Sequence, residues 1–355
     1  MIYKLFPEKD TTIYSEYPNK NTGLDEILDL STALNSTIST GNNAQSSGEV
    51  ARVLIQFSSA SLSTIFTNKI GNANWKAYLK LYLAQASAVP FNYTLYAYPL
   101  SQSWDMGTGR EANIPETTDG ASWNYKTDTS LWSITGSSYI SSSGASQSFS
   151  NVSSLDIEMD VTNLVGLWVS GTIPNNGLLL KHSSSLEFNT SSIFELKYFS
   201  KDTHTIYPPQ IEFRYNDHTW TTGSLSSSIV PTNNQIVVSL GNNKGEYNQS
   251  EIYRFNVNVR DKFPTRTFTT SSVYLNNRIL PSQSYYAIKD LHTEETVVDF
   301  DTNYTVINSN ATSSYFDLDM GGLEPERWYR TLVKTIINGQ TIVFDDEQLT
   351  FKVKR

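Results

Sequence analysis

From Trp75 the chain alternates. In Trp75-Lys-Ala-Tyr-Leu-Lys-Leu-Tyr-Leu, residues Leu79, Leu81 and Leu83 fall on one face and Tyr78, Lys80 and Tyr82 on the other. A period of two, rich in aromatics, predicts a half-buried strand. Similar runs predict strands at Glu26–Leu30, Val50–Phe57, Tyr93–Leu100, Leu155–Val161, Phe194–Phe199 and Gln210–Tyr215. One segment has the helical period instead. Val161, Leu164, Val165 and Trp168 recur at i, i+3, i+4 and i+7, and Gly171 ends the run. This predicts a helix with Trp168 on its core side. Leu62, Ile65 and Phe66 predict one more helical turn. The Ser-rich stretches 31–49 and 141–154 are expected to be loops. Residues 102–123 form a long polar connection carrying Trp104 and Trp123, and Trp123 to Tyr139, with Trp132, is aromatic but irregular. Connections of that length in compact domains are usually functional or disordered.

The pattern stops at 223–234, a Ser, Pro and Asn run that reads as a linker. It divides the chain into domains at 1–222 and 235–355. Beyond it short strands recur at Gln235–Leu240, Tyr253–Val259, Phe268–Tyr274, Ser284–Ile288, Thr296–Phe300 and Tyr315–Leu318. Arg330 to Phe344 predicts a hairpin around Asn338-Gly339, because that pair accepts the positive φ of a type I′ turn. Gln348–Val353 adds a last strand. About seven short strands in so small a domain favour an immunoglobulin-like β-sandwich.

Composition narrows the function. Charged residues are 17% and aromatics 12%, a mixture that suits strands faced with Thr, Ser and Tyr. The net charge is −9, of which the first 229 residues carry −7. No basic stripe appears, so nucleic acid is not an expected partner. Without cysteine there is neither a disulfide framework nor a thiolate metal site. The N-terminus has no apolar signal segment, and no run is long enough to span a bilayer. The chain therefore reads as made in a cytoplasm, with no membrane partner. The C-terminal Lys352-Val-Lys-Arg355 is a small basic tip, read as a solvated strand end.

Candidate chemistry is sparse. His182, His204, His218 and His292 lie in no pattern that pairs them with a Ser nucleophile or with one another as zinc ligands. Asp105, Glu111, Glu116 and Asp119 are the carboxylates available for glycoside cleavage, and capping of turns is the simpler role for them. Asp10, Glu16, Asn19, Asn21 and Asp25 offer oxygens for calcium near the first turn, against the simpler reading of Asx-turns. No other cofactor is expected. Trp104, Asp105 and Trp123 are the candidate surface-binding residues. The two Trp flank Gly- and Asp-rich turns, where a ring either meets a ligand or anchors a loop.

Six segments in order resemble the DNRLRE-type domain, a jelly-roll β-sandwich related to some carbohydrate-binding modules. They are Asp10-Thr-Thr-Ile-Tyr-Ser with Asn21-Thr-Gly, Ala51-Arg-Val-Leu-Ile-Gln-Phe, Ala77-Tyr-Leu-Lys-Leu-Tyr, Tyr98-Pro-Leu-Ser-Gln-Ser-Trp-Asp-Met-Gly-Thr-Gly, Asp119-Gly-Ala-Ser-Trp, and Asp160-Val-Thr-Asn-Leu-Val-Gly-Leu-Trp-Val-Ser-Gly followed by Asn176-Gly-Leu-Leu-Leu. The resemblance covers about residues 8–218. It implies a jelly-roll sandwich there; with the second domain read from its strands, the expected fold is all-β, a jelly-roll sandwich followed by a smaller immunoglobulin-like one. Family members usually carry an export signal and a catalytic or wall-binding partner domain. Lacking these, the chain looks more like a structural protein of a tailed-bacteriophage virion. The expectation is a non-enzymatic part of neck, tail or capsid, present in multiple copies beside other virion proteins. The alternatives are a module binding host-surface glycan and a polysaccharide-degrading enzyme.

Overall fold

The computed structural model describes residues 1–33, 50–188, 194–219, 228–229, 236–263, 278–345 and 349–355. The chain is mostly strand, in several curled antiparallel sheets of sandwich type. It forms two compact units. The N-terminal unit is Leu5–Gly71 with Lys76–Phe213, and the C-terminal unit is Met1–Lys4, Asn72–Trp75 and Arg214–Arg355.

The larger sheet of the N-terminal unit runs Leu83–Ser87, Glu195–Phe199, Ile27–Ser31, Ala51–Gln56, Leu178–His182, Asn92–Pro99, Ala145–Ser150. Lys9–Tyr14 also pairs with Ala51–Gln56. Trp75–Leu81 pairs with Ile157–Asp160 in a second sheet. There Ala77, Leu79 and Leu81 are buried, as the alternation requires. Ala51–Gln56 differs: Val53, Leu54 and Ile55 are all fully buried, so both of its faces are covered. A dense apolar run is the signature of such a strand.

The two expected helical segments are present. Ser59–Ile65 starts at Ser58, whose side chain accepts the Ser61 N–H, and passes into a π-helical turn, Phe66–Ile70. Thr162–Val169 buries Leu164, Val165 and Trp168. The Asp160 carboxylate accepts the Thr162 N–H at 3.0 Å and satisfies one of the donors that a helix start leaves over.

In the C-terminal unit one sheet runs Ser228–Ile229, Arg278–Ile279, Ile252–Asp261, Ser314–Asp319, Asn308–Ser309, with Ile236–Gly241 also on Ile252–Asp261. The other runs Glu246–Asn248, Thr350–Lys354, Arg327–Ile337, Ser284–Asp290, Thr296–Val298, with Gln340–Phe344 on Arg327–Ile337. Phe255 and Phe316 from the first sheet share one core with Tyr286, Tyr329, Val333 and Phe351 from the second. Tyr286 stacks on Phe316 at 4.4 Å between centroids. This is a two-sheet sandwich.

The hairpin forms as expected, with Asn338 at φ +51° and Gly339 at φ +75°. The stretch 141–154 does not remain a loop. Residues Ala145–Ser150 form a strand paired along its whole length with Asn92–Pro99. Its Ser hydroxyls lie on the solvent side, while Phe149 is buried and stacks on Tyr93 at 4.7 Å. Serine hides the alternation because only one position is apolar. Most of the stretch 31–49, most of the linker at 223–234 and the strand expected at 268–274 lie outside the described residues.

Candidate functional site

The long connection between Pro99 and Ser141 packs on one face of the larger sheet. Leu54 and Leu179 are direct cross-strand partners on that face. Together with Ile13 they enclose Leu100, Trp104, Ala121 and Trp132. The Trp104 indole N–H donates to the Asn176 carbonyl at 2.9 Å, and the Trp132 N–H to Ser122 O at 3.0 Å. Each ring therefore meets both its apolar and its polar requirement inside the protein.

Asn21 ties the near end of this layer. It is fully buried. Its Nδ2 donates to Met106 O at 2.7 Å and to Ala121 O at 2.8 Å, and its Oδ1 accepts the N–H of Gly109 at 2.8 Å and of Gly23 at 3.2 Å. Side chains would not fit here. A Cβ on Gly23 would stand 2.1 Å from Met106 O, and one on Gly107, at φ +76°, would stand 2.3 Å from the Asn21 side chain. The spacing Asn21-Thr-Gly with Met106-Gly-Thr-Gly thus encodes a backbone-to-backbone contact.

The far end is held by charge. Arg52 forms a two-pronged ion pair with Glu187, 2.9 Å on each prong, and its Nη1 donates to Gly136 O at 2.5 Å. Lys181 reaches the same carboxylate at 2.7 Å. All three side chains are at most 9% exposed. Two cations on one buried carboxylate satisfy its oxygens, and removing any partner strands the others. The Arg52 guanidinium lies over Trp123 at 4.8 Å, and the Lys181 ammonium near Tyr139 at 5.7 Å.

The expected binding trio comes apart. Trp104, 1% exposed, is an internal anchor and offers no face to a ligand, which corrects its assignment to the surface. Trp123 is half-buried under Arg52, and Asp105 is exposed while its backbone pairs with Lys126 and Ala121. Of the carboxylates of the connection, Asp119 serves a turn. Asp119 accepts the Thr108 N–H at 2.9 Å and its hydroxyl at 2.5 Å. Burial alone would raise the Asp119 carboxyl, but these bonds outweigh it and hold the group below its ordinary value. Glu111 and Glu116 are exposed, and the Glu111 N–H donates to Asp25 Oδ2 at 2.9 Å.

Four of the five candidate calcium residues meet neighbours, Asp25 the Glu111 N–H, although Asp10 does so through one oxygen only and Glu16 is exposed. Asn21 is saturated, Asn19 accepts from Asn124 at 3.0 Å, and Asp10 Oδ2 accepts the Lys201 N–H at 2.6 Å. Among the described residues no group of three or more His, Asp or Glu side chains is arranged to hold a metal. The four histidines stand apart in kind. His182 is buried beside Tyr93 and Phe194, and burial holds its imidazole down at about 4. His204 is 90% exposed near Glu26, and His218 Nδ1 meets Asn308 Oδ1 at 3.1 Å. Lys352 and Lys354 of the basic tip are paired with Glu326 and Glu246.

The alternation alone does not single out one row of residues on the same sheet. Tyr96, Tyr98 and Tyr139 form a stack, 5.8 Å and 4.9 Å between successive centroids, and all three are half-buried. The strand Asn92–Pro99 places Tyr96 and Tyr98 two residues apart on one face, beside the exposed Ser146 and Ser148. No helix among the described residues is long and apolar enough to cross a membrane. Comparison of the sequence with protein-family models and with curated proteins returns no match.

Proposed function

We propose that the protein is a non-catalytic structural component of a tailed-bacteriophage particle, present in several copies in neck, tail or capsid. The observation that carries this reading is the state of the long connection. It is a layer pinned at Asn21, Trp104, Trp132 and Arg52, and the Trp104 and Trp132 rings fill the interior instead of lining an open cleft. A scaffold that serves by shape needs such anchoring. The ordered resemblance to DNRLRE-type domains and the second sandwich behind it agree with a role in assembly. The edge strand Gln340–Phe344 adds a surface for neighbours, with Val343 47% exposed. Mass spectrometry of purified particles is the test. The reading expects this polypeptide in a fixed ratio to the other structural proteins, with cross-links from the hairpin to one of them. Absence from the particles would overturn it.

The stacked tyrosines favour glycan binding as the second reading. Aromatic faces beside hydroxyls are a common surface for sugars. A glycan array discriminates: binding lost in Tyr96→Ala, with the fold intact, would put this reading first.

A further inference from the structure

In the N-terminal unit, the turn after strand Glu195–Phe199 is tied to residues 25–26 and, through the Lys201 N–H, to strand Lys9–Tyr14. Ser200 donates its hydroxyl to Asp25 O at 2.6 Å and its N–H to Glu26 O at 3.0 Å. The Thr203 N–H closes the turn on Ser200 O at 3.2 Å. Two carboxylates engage Lys201 here, Asp10 from the strand and Asp202 from the turn. Each has one oxygen occupied. Asp10 Oδ2 accepts the Lys201 N–H at 2.6 Å, and Asp202 Oδ1 pairs with the Lys201 ammonium at 3.1 Å. The other oxygen of each, Asp10 Oδ1 and Asp202 Oδ2, is buried with no hydrogen-bond partner. Asp10 as a whole is 1% exposed. Burial first, and the neighbouring Asp202 charge after it, push the Asp10 carboxyl up to about 7 against the Lys201 N–H and ammonium.

Buried polar atoms in folded proteins are nearly always bonded, so an orphan oxygen needs a reason. Two orphans on acids that both bond Lys201, with the Asp202 charge felt at Asp10, call for one shared positive partner. We propose that Asp10 and Asp202 hold a calcium ion between their unpartnered oxygens, clipping the 200–203 turn to the first strand of the unit. The charges suit it. Lys201 offsets one of the two carboxylates and leaves one negative charge for the ion. The donors are oxygen, which matches a hard cation and not zinc. Calcium, with its flexible coordination geometry, fits an irregular turn better than magnesium with its strict octahedron. The site uses two acids only, which sets it apart from the Asn21 region and from any three-carboxylate cage.

A single proton shared by the two carboxyls would satisfy the same atoms. The two states respond oppositely to added metal. The test is calorimetric titration of the full-length, chelator-stripped protein with calcium chloride at pH 7.5, with thermal unfolding in parallel. One saturable site and a raised transition are expected. Asp202→Asn is expected to weaken the affinity at least ten-fold, and Asp10→Asn to do the same. Asp119→Asn, on the long connection, leaves it unchanged. Should Asp10→Asn fail to fold, Asp202→Asn decides, because Asp202 is 29% exposed at its side chain. No heat and no shift with calcium in the wild type would overturn the proposal, as would equal affinity in Asp202→Asn. A transition that rises from pH 8 to pH 6 but ignores calcium would assign the shared proton instead.

Discussion

Single side chains in this protein carry roles their residue type does not announce. Trp104 is the clearest. A Trp beside Asp105 and a glycine turn reads equally as a ligand platform or as an anchor, and only its neighbours decide. Those neighbours, Ile13, Leu54 and Leu179, come from three strands distant in sequence. Trp104→Ala removes the ring from a closed interior and should cost about 3–5 kcal/mol, read by urea unfolding. A loss below about 1 kcal/mol would mean the ring is dispensable and the layer is held elsewhere. His182 makes a pH prediction. Burial depresses its imidazole from 6.5 to about 4, so the folded state resists a proton that the unfolded chain accepts. Stability from this group is complete above pH 6.5 and is lost as pH falls from 6.5 through 4, by roughly 3 kcal/mol at most. Asp10, raised to about 7, works in the opposite direction over a similar range. The difference between wild type and His182→Phe therefore isolates the histidine. The variant should show the flatter loss on acidification, and parallel curves for the two proteins would refute the assignment.

At the scale of elements, legibility followed the contrast between apolar and polar positions. Leu79 and Leu81 against Lys80, or Val165 and Trp168 against the rest of their helix, gave strand and helix at once. Ala145–Ser150 gave nothing, because a strand of Ser, Gln and one Phe has almost no contrast; its partner strand supplies the order. The Asn21 contact left a local trace in three glycines, yet its meaning is tertiary, since Asn21 and Ala121 are 100 residues apart. The buried Arg52–Glu187–Lys181 group left none, for its members read as surface charges. Turn chemistry was the most transparent level. Asn338-Gly339 adopts the positive φ that the type I′ turn requires. Gly339→Ala places a Cβ in the left-handed region and should cost about 1–2 kcal/mol. Hydrogen exchange across Arg327–Phe344 is the measurement: faster exchange confined to that hairpin is expected, and unchanged protection would show that the turn follows the strands instead of setting them.

Over the whole molecule, sequence order and structural membership part company at the first four residues. Met1–Lys4 stand next to Glu8 and Lys9 in the chain, but they belong to the C-terminal unit. Ile2 joins the core built around Phe255, Phe316 and Phe351. The Met1 ammonium donates to Tyr215 O at 2.6 Å and pairs with Asp217 at 2.8 Å, and the Tyr215 N–H returns a bond to Met1 O at 2.9 Å. Composition gave no hint of this, because a four-residue segment has too few positions to show a period. Contacts that close a chain over more than 200 residues carry a large loop entropy, so they persist only where burial and hydrogen bonds outweigh it. Deleting residues 1–4 removes Ile2 from the second core and three backbone or ionic contacts with it. The expected outcome is a lower unfolding transition for Arg214–Arg355, with amide exchange accelerated along Ile252–Asp261 and Ser314–Asp319 and unchanged along Ala51–Gln56 and Leu178–His182. Loss of protection in the N-terminal unit alone would place the segment on the wrong side of the division. An intact pattern in both would mean that the second core closes without Ile2.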